Sequence, residues 1–330
     1  METVGRWGRG LAMLFLALGG VALLAWPDQA PWFVGLGLFT SIPPLARAKR
    51  AARGTALGAA VVWAGIAVGL GLAAQGLAVN EFLRTGRPGA GHLAYLSVLA
   101  SLAALLSVLN ARKPGGGAWA ILMALLVVVF LIPWLEGPGL GRNPQGLTRL
   151  RLDPPWTIFY WLLVLAGVTN YLPTRYGPAA AWLAAGLGLE YLGLTRGDWP
   201  PSRRGVLWSA VPWVLAVALR VADTRSRPPV VTRNELEAVW FWFRDHWGVV
   251  WGLRVLERFH RSTEAQGWPI RLGWHGLAAS GPEAETSPEQ VEAAGAILRG
   301  LLRRFAEPAR IEEVAAGRAP SPCHFPGDGT

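Results

Sequence analysis

Charge is scarce in this 330-residue chain: Asp, Glu, Lys and Arg make up 16% of it, where soluble domains average about 25%. Lysine is nearly absent, with Lys49 and Lys113 the only two among 31 basic residues. A single cysteine, Cys323, excludes an intramolecular disulfide framework and any multi-cysteine metal or iron–sulfur site. No phosphate-binding P-loop, HExxH zinc motif, GxSxG nucleophile elbow or paired-cysteine spacing occurs, so no motif for nucleotide, zinc or serine-hydrolase chemistry is present. His246 and His260 share one stretch but stand fourteen residues apart, about 21 Å along a helix, too far to ligate one metal. Cys323-His324 sits in a polar tail and makes a poor metal site. No cofactor is expected.

What is present is apolar. Hydrophobic residues reach 52%, Gly 41, and the 18 Trp outnumber Phe, Tyr or Met. Low charge with a positive mean hydropathy points to the bilayer. Arginine in place of lysine, with abundant Ala and Gly, suggests a GC-rich genome and hence a bacterium. Apolar runs bounded by charge, Pro or Gly give eight candidate spans: Leu11–Trp26, Ala30–Leu45, Thr55–Ala78, Leu93–Leu109, Ala118–Leu135, Pro155–Leu172, Pro178–Leu194 and Val206–Val221. A crossing helix needs about 20 residues. Ala30–Leu45 is the weakest, short and ending on Pro43-Pro44; it either crosses or re-enters. Arg6 and Arg9 before Leu11–Trp26 imitate a secretory signal, but Trp26-Pro27-Asp28 offers no small-residue cleavage site, so the run reads as an uncleaved first helix. The fold class expected is therefore an all-α integral membrane protein, about eight transmembrane helices followed by a small, mainly helical cytoplasmic domain.

The loops orient the chain. With the N-terminus inside, inner segments carry 12 basic residues and outer segments 8, and the densest cluster, Arg47, Lys49, Arg50 and Arg53, is inner. Both termini are then cytoplasmic, at a bacterial inner membrane. Trp7, Trp26, Trp32, Trp119, Trp134, Trp156, Trp199 and Trp208 lie near span ends, where indole prefers the headgroup level. Gly54, Gly58, Gly65, Gly69 and Gly76 mark one side of the third span for close helix packing within the chain.

Composition changes after Val221. Residues 1–221 carry a net +11 and residues 222–330 a net −1. The organisation expected is a transmembrane domain over 1–221, a cytoplasmic helical domain over 222–318 and a disordered tail over 319–330. Asn234 with Glu237 caps a helix running to about Arg261, and Ser287-Pro288 with Gln290 opens another. Ile270, Leu272 and Trp274 alternate with polar residues as one short strand.

The polar candidates are few. Glu190, near the outer end of the seventh span, reads as an interfacial carboxylate paired with Arg196 or another loop arginine, or as a cation or substrate contact in an outward cavity. Gln75 and Asn170 read as helix-packing hydrogen-bond formers. The spans offer no central acid, and breaks at Pro133 and Pro212 lack charge, which disfavours ion-coupled transport. The stretch Val239–Phe259 is richest in Trp. Projected as a helix, Leu236, Trp240, Phe243, Trp247, Val250 and Trp251 form one apolar stripe, and Trp242, Val249, Leu253 and Leu256 another nearly opposite. Two apolar faces need two partners. The bland reading is the aromatic core of a small domain; the functional one is a partner-docking face of Trp240, Phe243, Trp247, Trp251 and Arg254, the arginine stacking on Trp251.

Partners expected are the lipid bilayer and a protein docking at the cytoplasmic helices. Nucleic acid is excluded, because the soluble part is net −1 and phosphate binding needs clustered positive charge. With no catalytic constellation, the function expected is non-catalytic: a scaffold or subunit of a membrane complex. The alternatives are a transporter or channel for a neutral or anionic solute, and a membrane enzyme acting on a lipid.

Overall fold

The computed structural model of the chain describes residues 2–26, 28–84, 90–109, 121, 125, 127–129, 131–132, 154–195, 201–226, 234–277 and 287–317. Eleven helices and one small hairpin are defined among them. They are α1 (Glu2–Ala25), α2 (Ala30–Phe39), α3 (Ile42–Ala51), α4 (Gly58–Arg84), α5 (Ala90–Leu109), α6 (Pro154–Thr169), α7 (Gly177–Thr195) and α8 (Pro201–Arg225). α9 (Glu235–Ala265), the strands β1 (Leu272–Gly273) and β2 (Gly276–Leu277), α10 (Pro288–Leu302) and α11 (Pro308–Ala315) follow. Within Ala118–Leu135 the described residues Ile121, Leu125, Val127–Val129, Leu131 and Ile132 are helical. Trp119, Pro133, Trp134, Arg196, Trp199 and the tail from Ala319, with Cys323 and His324, lie outside the described residues.

Proline sets many helix starts. Pro31, Pro43, Pro154, Pro201, Pro288 and Pro308 occupy one of the first two helical positions, where a missing N–H loses no bond and the fixed φ suits the helix. The start of α3 depends on this most. Ser41 precedes it fully buried, and its hydroxyl neither caps the helix nor finds a partner. Pro44, buried in the first turn, has no N–H to leave bare there. Farther on, the Asn234 carboxamide accepts from Glu237 N at 2.9 Å, and α9 runs four residues past the expected Arg261. Ser287 and Gln290 form a reciprocal capping box, each bond 3.2 Å. The expected single strand is instead the tight antiparallel pair of β1 and β2.

Helices α1 to α8 pack as a bundle in which α4 lies along α5, α7 along α8, and α2 against α1, α4 and α8. Buried polar side chains in it bond to neighbouring backbones: Ser97 to Ala67 O (2.8 Å), Tyr160 to Leu187 O (2.8 Å) and Trp213 Nε1 to Leu16 O (2.7 Å). Close approach on α4 is at Gly71, where a Cβ would stand 3.0 Å from Leu38 Cδ2. Of the glycines expected to pack, Gly65 would meet Leu45 at 3.6 Å, but Gly58, Gly69 and Gly76 meet nothing within 4 Å among the described residues. The packing stripe is thus largely a different one, because the side α4 turns inward is set by its neighbours.

Eight membrane-crossing helices are not supported. Among the described residues, only Gly58–Leu77 is long and apolar enough to cross, at about 30 Å of helical rise. Gly10–Ala25, Leu93–Leu109, Pro154–Thr169 and Gly177–Leu189 are apolar but shorter. The second expected span breaks at Thr40–Ser41, leaving α2 with ten residues, about 15 Å and half a hydrocarbon core. Basic α3 follows it. The expected boundary at Val221 falls inside α8, which continues to Arg225.

Candidate functional site

Where the C-terminal helices seat on the bundle, a buried carboxylate, Asp245, stands between two arginines. The centre of this region is a break in α9. Gly248 has φ +76° and ψ −163°, a left-handed conformation that glycine tolerates, and it interrupts the helical hydrogen-bond ladder. Asn170, just past the end of α6, fills the interruption. Its Nδ2 donates to Trp247 O (3.1 Å), its Oδ1 accepts from Val250 N (2.9 Å), and its backbone oxygen accepts from Val249 N (2.9 Å). One side chain and its own carbonyl thus satisfy three groups that the broken helix leaves over. A Cβ on Gly248 would lie 2.4 Å from Asn170.

Around this plug the same pattern repeats, with side chains reaching for backbone across the seam. Tyr171 donates to His246 O (2.9 Å), Trp274 Nε1 to Pro173 O (2.9 Å), and Trp251 Nε1 to Leu109 O (3.0 Å). Backbone joins backbone where Ala56 N donates to Phe305 O and Glu307 N to Gly54 O, each 2.8 Å. Apolar contact is continuous as well: Ala52, Leu57 and Val108 share one buried cluster with Trp240, Phe243, Trp247, Phe259, Leu298, Leu302 and Phe305.

Asp245 supplies the electrostatics. It is 1% exposed and stands between Arg175 Nε at 3.2 Å and Arg244, whose Nε and Nη2 reach Oδ1 at 2.9 and 2.8 Å. Arg244 also donates to Trp274 O (2.7 Å) and lies over the rings of Phe241 and Trp274. The adjacent His246 points its Nδ1 at Trp242 O, 2.7 Å away. A carbonyl only accepts, so Nδ1 carries a proton. Burial among Tyr176, Trp242 and Trp247, then the Arg175 charge, push its pKa down to about 4. Burial likewise raises the pKa of Tyr176. These groups are paired with one another. The arrangement holds two bodies together, and no nucleophile–base pair is formed in it. Among the described residues no three His, Cys, Asp or Glu side chains gather as a metal site.

The expected docking face needs correction. Trp240, Phe243 and Trp247 are fully buried and Trp251 is 6% exposed, all covered by this chain's own α10, α11 and bundle segments. The first stripe is covered within the chain except at Val250; of the second, Leu256 is buried and Leu253 is exposed. Arg254 is exposed, with its guanidinium 5.0 Å above the Trp251 ring as expected from their spacing. Glu190 is a helical residue of α7; its side chain and Arg196 lie outside what the structure describes. Gln75 is buried and meets Ser209 at 3.2 Å. Sequence reasoning missed Gly248, Asp245 and Arg175 as a set. The usable signal was a glycine in the middle of an otherwise strong helical pattern, which marks a break or a close approach. Comparison with protein-family models, with curated proteins and with solved structures found no match to this chain.

Proposed function

We propose that the chain is a polytopic bacterial inner-membrane protein, both termini cytoplasmic, serving non-catalytically as a scaffold or subunit of a membrane complex. Its bundle sits in the bilayer, and α9, α10 and α11 form a platform fixed to the bundle's inner end. The carrying observation is the seam itself: Asn170, Tyr171, Arg175, Trp251 and Trp274 bind the two parts through buried polar contacts. A platform held so tightly suits presentation of a surface to a partner better than movement during turnover. The bilayer reading draws support from the large apolar side chains exposed on the described surface, all of which lie before residue 193 except Val250 and Leu253. The inner-side assignment draws support from the segments that meet the platform. Residues 52–57, Leu109 and 170–175 are ones the arginine bias puts on the C-terminal side.

Reporter fusions after Arg53 and after Arg225 test the topology, both reporting cytoplasm. Crosslinking and mild-detergent purification test the scaffold role. A stoichiometric partner that is lost from the seam variant Asp245→Ala supports it, and a clean monomer that recovers no partner overturns it. One observation favours the solute-transport alternative: the chain breaks at Thr40–Ser41 beside Arg220, which is 7% exposed and donates to Thr40 O. If that break lines a path for an anionic solute, Arg220→Gln abolishes uptake in proteoliposomes; unchanged flux removes it.

A further inference from the structure

Helix α3 and the turn after it carry a charge problem that the described residues do not solve internally. Arg47, Lys49, Arg50 and Arg53 are all exposed, four cations within seven residues. Asp223 takes up Arg47 through both carboxylate oxygens, at 2.7 and 2.8 Å, and stands 3.8 Å from Arg220. Lys49, Arg50 and Arg53 have no acidic partner among the described residues. The negative end of the α3 dipole offsets only about half a charge. Some two and a half positive charges are left facing outward.

The location of α3 says what faces them. Thr40 meets Arg220 and Arg47 meets Asp223, so α3 lies level with the last turns of α8. The exposed arc of α3 is graded along its length. Ile42 and Pro43 begin it, next to exposed Leu36 and Phe39 of α2, and Lys49 stands seven residues on from Ile42, as Arg50 does from Pro43. Seven residues are nearly two helical turns, so each pair shares a side, apolar first and basic about 10 Å farther on. An apolar lead followed by a basic end fits the boundary between acyl chains and headgroups.

We infer that α3 is a binding surface for anionic phospholipid headgroups of the inner leaflet, with Lys49, Arg50 and Arg53 as the phosphate contacts and the Arg47–Asp223 pair as the brace that fixes the helix at that depth. The inference rests on the membrane reading above. The test uses the full chain reconstituted into vesicles of phosphatidylcholine mixed with phosphatidylglycerol, re-extracted, and assayed for the lipid that stays with it. Wild type retains phosphatidylglycerol well above its bulk fraction. Lys49→Gln, Arg50→Gln and Arg53→Gln together cut that enrichment at least about tenfold, each cation near the surface accounting for about fivefold. The charge-keeping set Lys49→Arg, Arg50→Lys and Arg53→Lys preserves it, and it guards against a misfolded glutamine variant, for which Lys49→Gln alone is read instead. Wild type returning the bulk lipid ratio, or glutamine variants matching wild type, overturns the inference. Alkaline extraction of cell membranes separates the two claims: a chain stripped into the supernatant sinks the membrane reading, whereas one that stays in the pellet without enrichment sinks only the headgroup site.

Discussion

Leu24, Phe39, Ile158, Leu162 and Leu165 of the bundle are each more than half exposed, while its buried positions are largely Ala, Val, Leu and Ser; in α9 to α11 the largest buried side chains are Trp240, Phe243, Trp247 and Phe259, and the exposed positions are mostly charged or small, with Val250 and Leu253 the large apolar exceptions. On the membrane reading proposed above, each region meets a different solvent. Where the surroundings are as apolar as the side chains, burying a large hydrophobe gains little, and helices associate through small residues and hydrogen bonds. The bundle has these at Gly71 and Gly167, and at Ser97, Tyr160 and Trp213. In water each aromatic taken from solvent removes about 150–250 Å² of surface, and the C-terminal helices concentrate theirs in one cluster, Phe243 stacked on Trp247 and both Phe243 and Trp251 edge-to-face with Phe305. The seam is where these two ways of holding helices meet, and neither suffices there. It is held by buried charge and by side chains bonded to backbone.

Breaking the charge at the seam gives the largest expected effect. Asp245→Ala leaves Arg175 and Arg244, both largely shielded from solvent, without their buried anion, which costs about 3 kcal/mol or more. Fluorescence of a probe coupled at exposed Leu253→Cys in a Cys323→Ser background follows α9 during thermal unfolding in detergent, while circular dichroism is dominated by the bundle. In the variant the fluorescence transition moves down and separates from the bundle's; a single unshifted transition contradicts the seam's role. Gly248→Ala comes next. It forces a Cβ to 2.4 Å from Asn170 at a positive φ and costs about 3 kcal/mol. Gly300→Ala, in open space on α10, stays within about 1 kcal/mol of wild type or gains stability. Equal effects at the two glycines remove the plug from the argument.

The two regions were not equally legible. Helix caps are local, so Asn234 with Glu237 and Ser287 with Gln290 declared their helices outright. The paired apolar stripes of α9 were also readable, and so was Arg254 over Trp251, because periodicity needs no knowledge of the fold. What covers the stripes was not readable. Asn170 and Trp247 are 77 residues apart, and nothing local to either announces the other. Gly248 looked like one more glycine in a glycine-rich chain, and the partners of Asp245 come from α9 itself and from the turn after α6. In the bundle, nearly uniform hydrophobicity hid which side of α4 packs and where the second apolar run breaks. An amphipathic helix tells its own orientation; an apolar one takes it from its neighbours.

Acid sharpens the comparison by acting on one side only. His246 is held neutral, its pKa lowered from an ordinary 6.5 to about 4. Below pH 6.5 the unfolded chain binds a proton that the folded one refuses, so stability is present above that pH and drains away as pH falls toward 4. The loss amounts to about 2–3 kcal/mol by the lower end. His246→Gln flattens this part of the pH profile of the fluorescence transition. A wild-type profile flat between pH 7 and 4 shows that the ring is not held neutral at the seam.

The smallest effect lies at the outer edge of α9, past the break. Arg254 is exposed and makes one contact of note, its guanidinium 5.0 Å above Trp251, whose other edge donates to Leu109 O. Arg254→Ala removes an exposed cation–π contact worth about 0.5–1 kcal/mol and leaves the indole–carbonyl bond in place. The midpoint of the α9 transition therefore falls slightly, far less than with Asp245→Ala, and added salt narrows the gap because the lost contact is electrostatic. A drop as large as that of Asp245→Ala means that Arg254 helps hold Trp251 against the bundle. The seam would then extend past Gly248 onto the exposed side of α9, and the stacked arginine would belong to the joint between the two regions.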